Sequence, residues 1–131
     1  MNWNPRPLPH LRLWRSVGRA LLLLALAAAL LPAPSGLGRI EFGDKVVHAG
    51  AFAFLMLWYA QIYADGRDRW RLALGLTAFG AGIEALQGLL PYRSADLWDL
   101  LADGVGVAAG ALLAQTPLGN LLNRLGSRRS T

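Results

Sequence analysis

Four apolar stretches alternate with short polar segments along the chain, and this alternation predicts a helical membrane protein. The stretches cover residues of about 13–31, 46–63, 72–90 and 97–113. Each is close to the ~20 residues that a helix needs to cross a hydrocarbon core of about 30 Å. We therefore expect an all-α integral membrane bundle of four transmembrane helices, forming one domain over residues 1–131.

The first apolar stretch admits two interpretations. Its apolar centre, residues 17–31, follows a basic segment, and Pro32–Ser35 could serve as the cleavage region of a signal peptide. Extending the helix backward through Leu11 and Trp14 instead gives a spanning helix whose arginines reach the membrane surface. We expect the retained anchor, followed by a loop over residues 32–43 that is rich in proline and glycine.

Composition strengthens the membrane interpretation. The chain is 54% hydrophobic and only 16% charged, with a mean hydropathy of +0.35, which is too apolar for an ordinary soluble domain. The absence of cysteine excludes disulfides. The net charge of +5 comes from basic residues that lie mainly in clusters between the apolar stretches, so it does not indicate nucleic-acid binding.

The distribution of lysine and arginine predicts the orientation of the helices. Four of these residues lie in the N-terminal segment up to residue 19, three lie between the second and third stretches, and three lie in the tail. The segment after the first stretch has two, and the segment after the third has one. Since short cytoplasmic loops are enriched in positive charge, both termini should be cytoplasmic.

The last apolar stretch carries an unusual polar face. Asp96, Asp99, Asp103, Gly106 and Gly110 are spaced by three, four, three and four residues, so they share one face of a helix. Carboxylates are costly in a membrane-length segment, by at least a few kcal/mol near its centre. Three acids on one face exceed what helix capping requires, which indicates a site.

Two other helix ends carry polar residues at helical spacing. Asp44 and His48 are four apart at the start of the second stretch, and Glu84 and Gln87 are three apart near the end of the third. The predicted orientation places these ends, and the start of the fourth helix, at the outer side of the membrane. The predicted binding set is Asp44, Lys45, His48, Glu84, Gln87, Arg93, Asp96, Asp99 and Asp103.

Each member of this set also has a structural explanation. Asp44 and Asp96 stand where helix N-caps would stand, and Lys45 suits a charge at the membrane surface. Arg93 could either bind a headgroup phosphate or form an ion pair with Asp96. His48 could be a packing residue held by a hydrogen bond. Alternatively, nearby carboxylates would orient its imidazole and favour its charged form.

Glu84 and Gln87 are harder to explain by packing alone. Glu84 lies roughly two turns before Pro91, below the interface, where an ionised carboxylate needs a partner or a proton. An interhelical hydrogen bond that holds the bundle together is the structural alternative. If the site is catalytic, His48 and Glu84 are the candidates for a general base.

The sequence contains no established catalytic signature. We find no phosphate-binding loop, nucleophile elbow or paired histidines of a zinc protease. Carboxylates with one histidine could hold Mg²⁺ or Mn²⁺, but no spacing fixes a metal site, and no other cofactor is expected. Whether the protein is an enzyme therefore stays open.

At these polar residues the chain resembles the VanZ-like family of small bacterial membrane proteins. The resemblance spans roughly residues 44–113, and the first helix matches only in character. Asp103 is a departure, because the family usually has asparagine there. The matching motifs are Asp44-Lys45-x-x-His48, Glu84-x-x-Gln87, Arg93 after Pro91, and Asp99-x-x-x-Asp103-x-x-Gly106-x-x-x-Gly110.

The resemblance implies a multi-pass protein of the bacterial cytoplasmic membrane, in a family named for a member associated with teicoplanin (glycopeptide) resistance. Our first hypothesis is a cell-envelope protein whose outward-facing polar pocket binds a lipid-linked or peptidoglycan-related headgroup. The second is a membrane enzyme acting on a lipid-linked phosphate. The third is a structural or accessory subunit without a ligand of its own. The expected partners are the lipid bilayer and such a headgroup, and the oligomeric state is not predicted.

Overall fold

The computed structural model describes residues 2–32 and 43–127 and confirms that the protein is all-α. Within these residues there are five α-helices, one 3-10 helix and no strand. The helices are α1 (Leu11–Leu30), α2 (Gly43–Ile62), α3 (Gly66–Gln87), α4 (Leu97–Leu113) and α5 (Leu121–Ser127), with the 3-10 helix at Pro117–Asn120.

Two helices are long and apolar enough to cross a membrane by themselves, namely α1 and α2. A third candidate span consists of α4 together with Pro117–Ser127, which are bent by 74° relative to each other. Helix α3 is the longest helix at 22 residues, but its first turns carry Arg67, Asp68, Arg69 and Arg71. The described chain thus shows two to three candidate spans, and four spans stay a prediction.

The boundaries of α3 differ from the predicted span of 72–90. The helix begins at Gly66, because the side chain of Asp65 accepts a hydrogen bond from the backbone N–H of Arg67 and caps the N-terminus. The charged segment 65–71, which lies between two apolar stretches as a turn would, is therefore helical from residue 66 onward. The helix ends at Gln87, and residues 88–92 form turns before α4.

The expected cap at Asp44 is wrong, because α2 already begins at Gly43. Asp44 lies in the first turn of the helix, where the positive end of the helix dipole stabilises its negative charge. Apart from its two end residues, the predicted loop 32–43 lies outside the described part of the chain. The polar and basic tail, residues 120–131, also contains α5, whose buried Leu122 packs near Leu8 and Ile62.

Helix α2 lies at the centre of the bundle and packs most extensively against α4. Two glycines on α4 allow this close approach. A Cβ on Gly106 would collide with the backbone carbonyl of Ala49, and a Cβ on Gly110 would collide with that of Ala53. The apolar core is built around Phe52, Leu55, Met56, Ala60, Leu76, Ile83, Val107 and Ala114.

Helix α1 lies at the periphery and buries only Gly18. A Cβ on that glycine would lie 2.9 Å from the ring of Tyr59, so α1 meets α2 closely at this point. Leu23 and Leu24 are each about two-thirds exposed, at 67% and 65%, as expected for a helix that faces lipid.

The end of the bundle where α2 joins α3, which we call the inner end, contains a buried carboxylate that the sequence analysis did not single out. Asp68 is 2% exposed. Its Oδ1 accepts from Arg71 at 3.1 Å, and its Oδ2 accepts from the backbone N–H of Asn4 at 2.9 Å. The N–H of Arg6 donates to the carbonyl of Ile62 at 2.8 Å. These bonds hold the N-terminal segment across the inner end.

Candidate functional site

The start of α2, the end of α3 and the start of α4 meet at the opposite end of the bundle, which we call the outer end. Seven of the nine predicted binding residues come together there through hydrogen bonds, ion pairs or short ligand-atom distances. The remaining two, Gln87 and Arg93, lie at the same end but contact α1. The seven, which we call the acidic cluster, are Asp44, Lys45, His48, Glu84, Asp96, Asp99 and Asp103.

Lys45 joins α2 to the start of α4. Its Nζ donates to Asp96 Oδ2 at 2.9 Å and to Asp99 Oδ1 at 3.1 Å. Asp96 also caps α4, because its Oδ1 accepts from the backbone N–H of Trp98 at 2.8 Å. The hydrogen bonds from Lys45 and then from Trp98 lower the pKa of Asp96 below its ordinary value. Lys45 is therefore an interhelical link rather than only a surface charge.

His48 lies between two carboxylates of α4. Its Nδ1 is 2.8 Å from Asp103 Oδ1, and its Nε2 is 3.9 Å from Asp99 Oδ2. The side chain of His48 is 11% exposed, and that of Asp103 is completely buried. The carboxylate of Asp103 therefore fixes the orientation of the ring, as carboxylates do for functional and metal-binding histidines.

Glu84 connects α3 to the same cluster but leaves one oxygen unused. Its Oε2 accepts from the backbone N–H of Asp96 at 2.8 Å. Its Oε1 and the Oδ2 of Asp103 are buried and have no hydrogen-bond partner among the described residues. Gly80 makes room for the second of these oxygens, because a Cβ there would lie 2.6 Å from Asp103 Oδ2.

Two groups of side chains in the cluster have the composition and spacing of metal ligands. One ligand atom from each of His48, Glu84 and Asp103 lies within 4.8 Å of the others, and the same is true of Asp44, His48 and Asp99. The first group contains two buried carboxylates, whereas Asp44 in the second is exposed. His48 belongs to both groups, so it is the centre of the cluster.

Gln87 and Arg93 cap the C-terminal end of α1. Together with Tyr92 they donate to successive carbonyls of residues 29–31, at 2.9 Å from Gln87 Nε2, 2.8 Å from Tyr92 Oη and 2.6 Å from Arg93 Nη2. These carbonyls lack partners within the helix, and a cation there also offsets the negative end of the helix dipole. The ion pair between Arg93 and Asp96 that we considered is not formed, because Lys45 occupies Asp96.

A cavity of about 130 Å³ lies between α1, α2 and the end of α3. Asp44, His48, Gln87 and Arg93 contribute the polar part of its lining. Alanines of α1 and apolar side chains of α2 and α3 form the rest. The cavity therefore combines a small apolar space with an imidazole, an amide, a guanidinium and a carboxylate.

Two residues of the outer end were missed in the sequence analysis. Gly80 precedes Glu84 by four positions, so helical spacing already placed it on the polar face of α3. Tyr92 carries no comparable signal, because its role depends on where α1 ends against the loop after α3. That arrangement is a tertiary feature.

A protein-family model described as VanZ/LLP1 matches residues 7–121, which is most of the chain. The matched part runs from before α1 to the start of α5 and includes all nine predicted binding residues. No curated protein and no solved structure matches the chain.

Proposed function

The chain belongs to the VanZ/LLP1 family of membrane proteins, and from this membership we propose that it is a cell-envelope protein of the bacterial cytoplasmic membrane. It crosses the membrane four times, with both termini in the cytoplasm. Its outward-facing polar site binds the headgroup of a lipid-linked or peptidoglycan-related molecule. The observation that carries this proposal is the convergence of polar side chains from three helices beside one cavity at a single end of the bundle.

The proposed topology is supported by the two polar ends of the bundle. Arginines of the N-terminal segment and of α3 gather at the inner end, whereas the acidic cluster lies at the outer end. Reporter fusions after Gly66 and after Thr131 should report the cytoplasm, and a fusion after Gly38 should report the outside. A reporter at Thr131 that faces outward would contradict the four-helix topology.

Retention of α1 is supported by its contacts with the site. Helix α1 supplies part of the cavity wall, and its terminal carbonyls accept from Gln87, Tyr92 and Arg93. We therefore expect the intact mass of the membrane-extracted protein to include the segment before α1. A mass that lacks some thirty residues would contradict the retention of α1.

A phosphate-bearing headgroup suits the lining of the cavity. Arg93 uses its Nε and Nη2 on the carbonyl of Leu31, which leaves other donors of the same guanidinium for an anion. Guanidinium groups bind phosphate through paired, charge-assisted hydrogen bonds. His48 and Gln87 border the same space, so they supply further polar contacts.

Lipid binding by the purified chain tests this proposal directly. The detergent-solubilised protein is titrated with a long-chain polyprenyl monophosphate and, separately, with the corresponding uncharged polyprenol, and complexes are counted by native mass spectrometry. We expect the phosphate to bind more tightly, and Arg93→Gln to weaken its binding by roughly tenfold or more, as for a lost charge-assisted bond. Arg67→Gln, the same substitution in the first turn of α3 at the inner end, should have no such effect. Equal binding of phosphate and alcohol, or equal losses in the two variants, would contradict a phosphate site at Arg93.

A hydrolytic or transfer activity on a lipid-linked phosphate is the second candidate, and the pairing of His48 with Asp103 favours it. An imidazole held by a carboxylate beside a cavity has the arrangement of a general base. Incubation with a polyprenyl diphosphate, followed by measurement of released phosphate, tests this activity. Product formation that His48→Asn abolishes would support the enzyme, and intact substrate with the wild-type protein would exclude this reaction.

A cellular assay separates a ligand-binding site from a purely structural one. We propose that expression of the protein alters susceptibility to teicoplanin, and that Glu84→Gln and His48→Asn abolish this change while protein level and melting stay nearly unchanged. If the cluster serves only packing, the same substitutions should lower the free energy of unfolding by roughly 1 kcal/mol each. Unchanged susceptibility with the wild-type protein would remove the antibiotic effect from the proposal.

A further inference from the structure

The outer end contains buried oxygen atoms for which the described residues offer no donor. They are Glu84 Oε1, Asp103 Oδ2 and Gln87 Oε1. The three residues are 6%, 0% and 3% exposed, respectively. A buried acceptor without a partner loses its hydration without compensation, at a cost of about 1–3 kcal/mol and more for a charged group. The first two atoms belong to the acidic cluster, on residues whose ligand atoms lie close together, and they point to a bound group that satisfies them.

The charge of the acidic cluster indicates that this group is a cation. The cluster contains five carboxyl groups, and Lys45 is its one side chain with a fixed positive charge. Arg93 makes no ion pair with these carboxylates among the described residues, and its Nε and Nη2 donate to the carbonyl of Leu31. Buried carboxylates are stable when they are paired, protonated or bound to metal.

The positions of three side chains fit a single ion. The ligand atoms of His48, Glu84 and Asp103 lie within 4.8 Å of one another. Two ligands that each lie about 2.0–2.2 Å from an ion are separated by at most about 4.4 Å, so small side-chain rotations suffice to bring the three atoms to bonding distance. Bonds from His48 and Asp103 to a shared ion would replace the hydrogen bond that these residues now make.

We propose that His48, Glu84 and Asp103 form a binding site for one divalent transition-metal ion, Mn²⁺ or Zn²⁺. One imidazole with two carboxylates suits these ions, whereas Ca²⁺ takes six to eight oxygen ligands. The alternative group of Asp44, His48 and Asp99 is less suitable, because Asp44 is exposed and Asp99 already pairs with Lys45. The metal site does not depend on the nature of the headgroup, and it goes beyond the proposed function.

Metal binding to the purified full-length chain tests the site without any lipid ligand. The detergent-solubilised protein is freed of metal with EDTA, equilibrated with MnCl₂ or ZnCl₂, and analysed for bound metal by atomic emission. We expect one ion per chain for at least one of the two metals. Bound Mn²⁺ should also show nitrogen modulation from the imidazole in pulsed electron paramagnetic resonance. His48→Gln should remove this modulation.

Substitutions at the ligands and at two other acids locate the ion. Glu84→Gln and Asp103→Asn should each weaken binding by roughly tenfold or more, since each removes a ligand charge. Glu84→Gln keeps an oxygen that accepts from the N–H of Asp96, so this variant should fold. Asp65→Asn removes the same charge at the inner end and preserves an N-cap, and it should bind metal as the wild type does.

Three results would overturn the proposal. One is the absence of either metal above the detergent blank in wild-type protein with native circular dichroism. Another is wild-type affinity in folded Glu84→Gln. The third is a loss of binding in Asp44→Asn as large as that in Glu84→Gln, which would place the ion in the exposed group of acids.

Discussion

The two ends of the bundle both bury carboxylates, but they satisfy them differently. At the inner end both oxygens of Asp68 have donors, from Arg71 and from the backbone of Asn4. At the outer end Glu84 and Asp103 each keep one buried oxygen without a partner among the described residues. At the inner end, the buried side-chain atom that lacks a partner within residues 2–32 and 43–127 is a donor, Nε of Arg69.

This difference shows that burial of a charged residue does not by itself identify a functional site. Asp68 is as buried as Glu84, Asp99 and Asp103 at the outer end, yet its contacts explain it completely as a link between α3 and the N-terminal segment. The acids of the outer end outnumber the donors that reach them. An excess of one kind of polar atom, rather than polarity, distinguishes a candidate site from a structural network.

Asp68→Asn should have the largest effect on stability. The substitution weakens two hydrogen bonds of a buried carboxylate, so we expect the free energy of unfolding to fall by about 2–3 kcal/mol. Asp103→Asn in metal-free buffer should cost less than about 1 kcal/mol, because a neutral amide is easier to bury than an incompletely satisfied carboxylate. Denaturation in mixed micelles, followed by circular dichroism, measures both. A loss at Asp103 as large as that at Asp68 would remove the distinction between the two ends.

Gly80→Ala should have the next largest effect, and Gly82 on the same helix provides its control. A Cβ at position 80 would lie 2.6 Å from Asp103 Oδ2, whereas a Cβ at position 82 would meet nothing within 4 Å. We expect Gly80→Ala to cost about 1–2 kcal/mol by displacing the carboxylate, and Gly82→Ala to be neutral or stabilising, because alanine favours helix. The same denaturation assay compares them. Equal stability of the two variants would mean that Asp103 does not need this space.

Arg93→Gln should have a smaller effect on stability, since the guanidinium is on the surface and part of its contribution is screened. Loss of its bonds to the carbonyl of Leu31 should cost about 0.5–1 kcal/mol and loosen the end of α1. Hydrogen exchange of the last turn of α1 should rise in this variant and stay unchanged in Arg67→Gln. Faster exchange throughout α2 and α4 instead would indicate that Arg93 holds the whole outer end together.

The effect of Asp96→Asn should be the smallest and should depend on pH. The pKa of Asp96 is lowered in the folded protein, so its contribution to stability is present above the ordinary value of 3.8 and is lost as pH falls through the lowered value. Asparagine also caps a helix, so the substitution removes mainly the ion pair with Lys45. The variant should therefore be less stable than wild type at neutral pH, and the difference should shrink below about pH 4. If the stability difference between the variant and wild type does not change with pH, it arises from capping rather than from the charge of Asp96.

Helical spacing predicted the features that depend on a single helix. It placed Asp99, Asp103, Gly106 and Gly110 on one face of α4, and all four are buried. It also paired Glu84 with Gln87 on α3, where both are buried. The all-α fold and the limits of α4 at residues 97–113 followed from the apolar pattern, because a long apolar run followed by proline and glycine leaves few alternatives.

The features that depend on contacts between distant segments could not be read in the same way. Capping by Asp65 extended α3 through a charged segment whose composition suggested a turn. The partner of Arg93 is a carbonyl of α1, and backbone carbonyls carry no sequence signal. Asp68 could not be singled out, because nothing in the local sequence shows that the N-terminal segment folds over it.

The contact of Gly106 and Gly110 with the backbone of α2 fixes the depth of the acids on α4. Sliding α4 along α2 by one turn, about 5.4 Å, would bring a side chain such as that of Asp103 to a place where only a hydrogen atom fits beside the carbonyl of Ala49. The close contacts at the two glycines therefore fix the register of α4 relative to α2. This contact opposes piston-like motion of α4, so we expect any opening of the outer end to come from the helices that pack against this pair.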